Sequence, residues 1–211
     1  MKLRHSAFLI FVILLVDQFS KVYVKTNFVY GDEFPVLSWF KFLFIENEGM
    51  AWGTVIPGEY GKLILTVFRI IAIFGIGYWL YDSIHKEKSN FLIVAIALIF
   101  AGALGNIIDS VFYGVIFNDS HNQLATLFSS EPYGTLFHGK VVDMFYFPIW
   151  EGDLPSWLPF WGGDHFRFFN AIFNVADFSI SVGVGILIVF NKRAFTLPKH
   201  SMSRIFHDKL D

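Results

Sequence analysis

Carboxylates set inside apolar sequence are the residues of this chain that could do chemistry. The stretch FNVADFSISVGVGILIVF, Phe173 to Phe190, is apolar enough to cross a bilayer, yet it holds Asn174 and Asp177. Asp109 closes another such stretch, in GNIID, and Asp143 sits in VVDMF. A carboxylate in hydrocarbon is costly, and ionisable residues in such places face a bundle interior and mark function. Two carboxyls close together cannot both ionise easily, so they share a proton. One then acts as base on a water and the other as acid, the logic of an aspartic protease. Spacing alone leaves the pair open: any two of Asp109, Asp143 and Asp177.

Other chemistries lack their residues. Cysteine is absent, which excludes disulfides, thiolate metal sites and a cysteine nucleophile. There is no HExxH, no GxSxG and no P-loop. The Gly-x-Gly-Asp motif of another intramembrane aspartyl family is also missing. His121, His138 and His165 have no metal-ligand spacing and read as surface residues. The expectation is therefore chemistry without metal or cofactor. A formal net charge of -2 does not suggest nucleic acid.

Membrane helices must position these carboxyls. The 211 residues are 55% hydrophobic and 19% aromatic, with mean hydropathy +0.53, which points to a membrane protein. A spanning helix takes roughly 20 mostly apolar residues. Four stretches qualify, at about 6–24, 62–81, 91–110 and 171–190. Lys2 and Arg4 ahead of the first also fit a secretory signal peptide, but VDQFSK follows where a small-residue cleavage site would lie. Lys2, Arg4, Lys86, Lys88, Lys192, Arg193, Lys199, Arg204 and Lys209 all fall on one side if every span crosses. The positive-inside rule makes that side cytoplasmic, with both termini there and segments 25–61 and 111–170 outside. The segment FPVLSWFKFLFIEN (Phe34–Asn47) reads as one or two strands. MFYFPIW and LPSWLPFWGG, aromatic and proline-punctuated, read as outer-surface pieces. The fold expected is an all-α integral membrane four-helix bundle in a single domain, 1–211, with a small β-rich extracytoplasmic segment and aromatic outer loops.

This topology puts Asp17, Lys21, Arg69, Asn106, Asp109 and Asp177 at one depth, in the outer leaflet, with Asp143 near it. Asn170, Asn174, Asp177 and Ser181 follow one helical stripe. Asp17 and Lys21, four apart, fit an ion pair within one helix, and Arg69 fits a side chain snorkelling to the interface. Ala97, Ala101 and Gly105 form a small-residue stripe that lets a second helix approach closely. Asp177 has no lysine or arginine three or four residues away on its own helix, so a structural ion pair explains it least well.

Five motifs together resemble the lipoprotein signal peptidase (signal peptidase II) family. They are DQFSK (Asp17–Lys21), NEGMAWG (Asn47–Gly53), GNIID (Gly105–Asp109), VVDMF (Val141–Phe145) and FNVAD (Phe173–Asp177), in order on four spans. The resemblance implies that Asp143 and Asp177 are the catalytic dyad and that Asn47, Gly49, Asn106 and Asn174 line the substrate site. It implies structural support from Asp17, Lys21 and Asp109. It further implies an aspartic endopeptidase of the bacterial inner membrane. Its partners would be membrane lipid and a lipid-modified prolipoprotein, cut before the diacylglyceryl cysteine. Where the family usually has Gly-Asn-x-x-Asp-Arg, this chain has Ser110 in place of the arginine, so a site arginine is either missing or supplied from elsewhere, by Arg69 or Lys140. The stretches Val111–Gly139 and Phe147–Phe169 are longer than the family pattern. The reading from another class is a four-span transporter or channel with Asp177 and Asp109 as ion sites. The absence of an evident inverted repeat weakens it.

Overall fold

The computed structural model describes residues 1–48 and 60–196. The helices are α1 (Leu3–Asn27), α2 (Gly61–His85), α3 (Asn90–Ile108), the short α4 (Gly114–Ile116), α5 (Val175–Val189) and α6 (Asn191–Ala194). A π-helical turn, Asp109–Tyr113, joins α3 to α4. The strands are β1 (Glu33–Leu37), β2 (Phe40–Asn47), β3 (Val141–Tyr146), β4 (Trp150–Asp153), β5 (His165–Phe168) and β6 (Ile172–Phe173). The chain packs as two compact units of alternating stretches. Of the described residues, 1–19, 60–108 and 175–196 form the first, and 20–48 and 109–174 the second.

The first unit is helical. Among the described residues, Leu3–Asn27, Gly61–His85 and Asn90–Ile116 are long and apolar enough to cross a membrane. Each holds an 18-residue apolar window with at most two charged residues, and in lipid a helix satisfies every backbone group within itself. Phe8, Phe11, Phe68, Ile71 and Phe74 point outward, as lipid-facing residues do. The last apolar helix is shorter than its sequence suggests. An expected start near Ala171 gives way to Val175, because Ile172 and Phe173 pair as β6 with Tyr146 and Phe145. Strand pairing with residues far off in sequence overrides the local apolar pattern there. Asn170 and Asn174 therefore precede the helix, and the expected four-residue stripe does not form.

Small residues let α3 and α5 touch. Ala97 and Ala101 are fully buried. A Cβ on Gly183 would lie 2.7 Å from the Ala95 carbonyl oxygen, and one on Gly102 would be 2.7 Å from Ile180 Cγ1. Leu80, Leu92, Ile93, Ile96 and Ala97 close the core at the α2–α3 turn.

The second unit is built on an antiparallel sheet in the order β1-β2-β3-β6. Alternation sends Val142 and Met144 of β3 into a core with Phe44, Val24, Tyr113, Phe117 and Ala125, while Asp143 takes the opposite face. β4 and β5 form a separate two-stranded hairpin.

Candidate active site

The geometry begins on β3 of the second unit. Its register sets Asp143 opposite Ile45 and Val141 opposite Asn47, so Asn47 shares a face with the carboxylate as its diagonal neighbour. Asn47 Nδ2 donates to Asp143 Oδ2. Asn174, fully buried just after β6, donates from Nδ2 to Asp143 Oδ1 at 2.7 Å and to the Val142 carbonyl at 3.3 Å. Asp143 itself is only 3% exposed. A carboxylate so buried needs such donors, because desolvation without them would be costly. Of the four residues expected to line the substrate site, Asn47 and Asn174 thus meet Asp143. Gly49 lies outside the described residues.

In the first unit Asp177 occupies the first turn of α5, where the helix dipole favours a negative charge. Asn106 Nδ2 of α3 donates to Asp177 Oδ1 at 2.8 Å. Asp17 fastens the same helix start: its Oδ1 accepts the Ala176 N–H at 2.9 Å. Gln18 Nε2 then bridges Asp17 Oδ2 (3.0 Å) and the Gly105 carbonyl (3.2 Å). Gly105 has to be glycine here, since a Cβ would lie 2.6 Å from Asp17 Oδ2.

Asp109 is taken up by structure. Its carboxylate pairs with Lys21 Nζ at 2.8 Å, both side chains fully buried. Spacing within α1 suggests Asp17 as the partner of Lys21; the long-range pair with Asp109 has no sequence signal. An ion held this way is poorly placed to carry a transported ion. Lys25, one turn further on, is also fully buried and pairs with Glu46, and Ser120 Oγ completes the cluster. The sequence analysis passes over Lys25. Its spacing from Asp17 and Lys21, at i, i+4 and i+8, was the available signal.

Ser110, at the position of the family's arginine, is buried. It is 1% exposed inside the π-helical turn, and its carbonyl accepts the Gly139 N–H at 2.9 Å. The Phe137 N–H bonds the Val111 carbonyl and the Gly134 N–H the Gly114 carbonyl, so segment 134–139 lies directly on this helix end. Lys140 is turned to Tyr133, its ammonium 5.7 Å from the ring centre and its N–H on the phenol oxygen at 2.7 Å. Burial holds the Tyr133 phenol above its usual range. Of the three loop histidines, His121 and His165 are exposed and His138 is half-buried. His121 bonds Asp119 and stacks on Tyr30, His138 bonds Thr135, and His165 bonds Asp153 and Glu151. No cluster able to hold a metal occurs among the described residues.

Residues 9–192 match the family model described as Signal peptidase (SPase) II. The chain belongs to the signal peptidase II family. The lipoprotein signal peptidase of Porphyromonas gingivalis is 49% identical over 193 residues, covering 90% of this chain and 84% of the relative. That of Amoebophilus asiaticus is 36% identical over 188 residues, covering 86% and 74%. The fold is similar to a solved bacterial membrane enzyme obtained by the in meso method. Its TM-score is 0.60 and its identity 25%, with 93% of each chain covered. Family and apolar helices together make the chain a multi-pass membrane protein and a peptidase.

Proposed function

We propose that the chain is an intramembrane aspartic endopeptidase. It removes the signal peptide from diacylglyceryl-modified bacterial prolipoproteins, cutting before the lipidated cysteine, with Asp143 and Asp177 as the catalytic pair. The observation that carries this reading is a shared arrangement: each of the two aspartates accepts a side-chain amide from asparagines of the recognised motifs. Asp109, the third candidate, is committed to Lys21 instead.

Asparagine amides orient both carboxyls, and carboxyl chemistry then follows general acid–base rules. One carboxyl, ionised, takes a proton from a water whose oxygen attacks the scissile carbonyl. The other, protonated, gives its proton to the carbonyl oxygen. The tetrahedral carbon collapses, the C–N bond breaks, and the leaving amine takes a proton. Asn47, Asn106, Asn174 and Gly49 line the substrate site in this reading. The chemistry runs on two carboxyls and water, so chelators leave it intact.

The fold in the bilayer is a four-helix bundle with both termini cytoplasmic and the site near the outer leaflet of the bacterial inner membrane. Lys2, Arg4, Lys86, Lys88, Lys192 and Arg193 support that orientation. The test is cleavage of a diacylglyceryl-modified prolipoprotein peptide by purified protein with a chelator present. Asp143→Asn and Asp177→Asn each lose about 10²–10⁴-fold or more. Asp109→Asn keeps measurable activity once folded. Normal cleavage by Asp143→Asn would move the pair to Asp109 and Asp177.

A further inference from the structure

Arg69 is the single charged residue of α2 between Lys62 and Asp82. A side chain of this kind on a spanning helix can reach for the interface or can serve a group inside the bundle. Its position on the helix decides between them. Thr66, Ile73 and Leu80 are the buried residues of this part of α2, and Ile76 packs beside them. Arg69 falls on that inward stripe, at i, i+3, i+7, i+10 and i+14 counted from Thr66. It is half-buried, while its neighbours Val67, Phe68 and Ile71 are exposed.

Depth along the bundle follows from the α2–α3 pairing. The two helices run antiparallel from the turn at 86–89, and a Cβ on Gly77 would lie 3.1 Å from the Phe100 ring. Stepping eight residues back along α2 and eight forward along α3 brings Arg69 level with Ile108. That is two residues, or about 3 Å of axial rise, from Asn106. Asn106 is the residue that bonds Asp177. Arg69 and Asp177 carry opposite charges, so a guanidinium at this depth attracts the carboxylate.

We propose that Arg69 is a positioning residue for Asp177: its guanidinium holds the carboxylate in the catalytic orientation from the α2 side, as Asn106 does from α3. The inference rests on the reading of Asp177 as one of the catalytic pair. A guanidinium works here because its charge persists under burial and its several donors suit a carboxylate. A misplacement of about 1 Å at a reacting group costs on the order of 10²-fold in rate. The effect therefore belongs to kcat.

The experiment compares full-length wild type, Arg69→Gln and Arg69→Lys on the diacylglyceryl-modified peptide, with thermal unfolding of each in the same detergent. Arg69→Gln is expected to lower kcat about 10–100-fold with KM changed less than about threefold. Arg69→Lys, which keeps a cation but not the guanidinium fork, is expected to recover part of kcat. Three results would overturn the inference: Arg69→Gln cleaving as wild type does, a loss confined to KM, or Arg69→Lys failing as badly as Arg69→Gln at unchanged melting temperature. Wild type that never cleaves, in detergent or lipid, would instead sink the peptidase reading and this role with it.

Discussion

Residues 117–139 and 147–169 are equal in length and both carry aromatic, charged and proline-containing sequence, yet the fold treats them in opposite ways. Phe117, Ser120 and Ala125 of the first are buried. Its backbone bonds the carbonyls at the end of the α3–α4 helix, and its Ser120 joins the buried Lys25–Glu46 pair. The second is rooted by Phe147, which stacks on Phe40 at 4.7 Å and on Phe173 at 5.5 Å. Beyond that root its β4–β5 hairpin pairs with itself, and Trp157, Phe160 and Trp161 at its tip are exposed. The charge pairs differ in the same sense. Lys25–Glu46 lies under the rings of Phe117 and Tyr133, whereas Arg167–Glu151 stands in solvent at 2.8 Å. Composition therefore does not say which insertion is architecture. The partners that the chain brings to it do.

Lys25→Met should show the contrast most strongly. It leaves Glu46 buried without its cation, at a cost of about 3–5 kcal/mol. Thermal unfolding of the detergent-solubilised protein reads this, and Lys25→Met with Glu46→Leu should recover much of the loss. An unchanged melting temperature in the single variant would erase the distinction between the two segments. Ser120→Ala comes next, at about 1–3 kcal/mol, because it removes one polar partner from a buried cluster. Trp157→Ser and Phe160→Ser in the hairpin tip should stay within about 0.5 kcal/mol of wild type. A larger drop would mean that the tip packs on something in the folded protein.

The smallest effect is local and depends on pH. Hydrogen bonds that the His165 imidazole donates to Asp153 and Glu151 hold it above its ordinary 6.5. Its contribution is fully present below the unfolded value of 6.5 and is lost as pH rises through the higher folded value. Amide exchange in β4 and β5, corrected for intrinsic rate, should accelerate across that window and leave 117–139 unaffected. Equal protection on both sides of the window would remove His165 from the hairpin's support.

The long helices were legible because each is an apolar run with polar ends, and β1 and β2 because Phe34–Asn47 is aromatic and branched. Asp143 and Asp177 stood out as carboxylates in apolar surroundings, and their amide partners Asn47, Asn106 and Asn174 lie in motifs readable by eye. What escaped depends on contacts distant in sequence. The start of α5 moved to Val175 because β6 pairs with β3, and Lys21 reached Asp109 on another helix. The packing of segment 134–139 on the turn that holds Ser110 likewise rests on backbone bonds with no sequence signal.

The bond from the Ala176 N–H to Asp17 joins residues 159 apart in the chain. Seen as a sequence of events in time, this puts a delay into the enzyme's birth. At about 5–20 residues per second, Asp17 leaves the ribosome on the order of 10–30 s before its partner. Through that interval the carboxylate sits in a first helix already made, and Asp177 does not yet exist. On the proposed reading of Asp177, activity cannot precede α5, so a ribosome that stalls early releases a chain lacking one of the two proposed carboxyls.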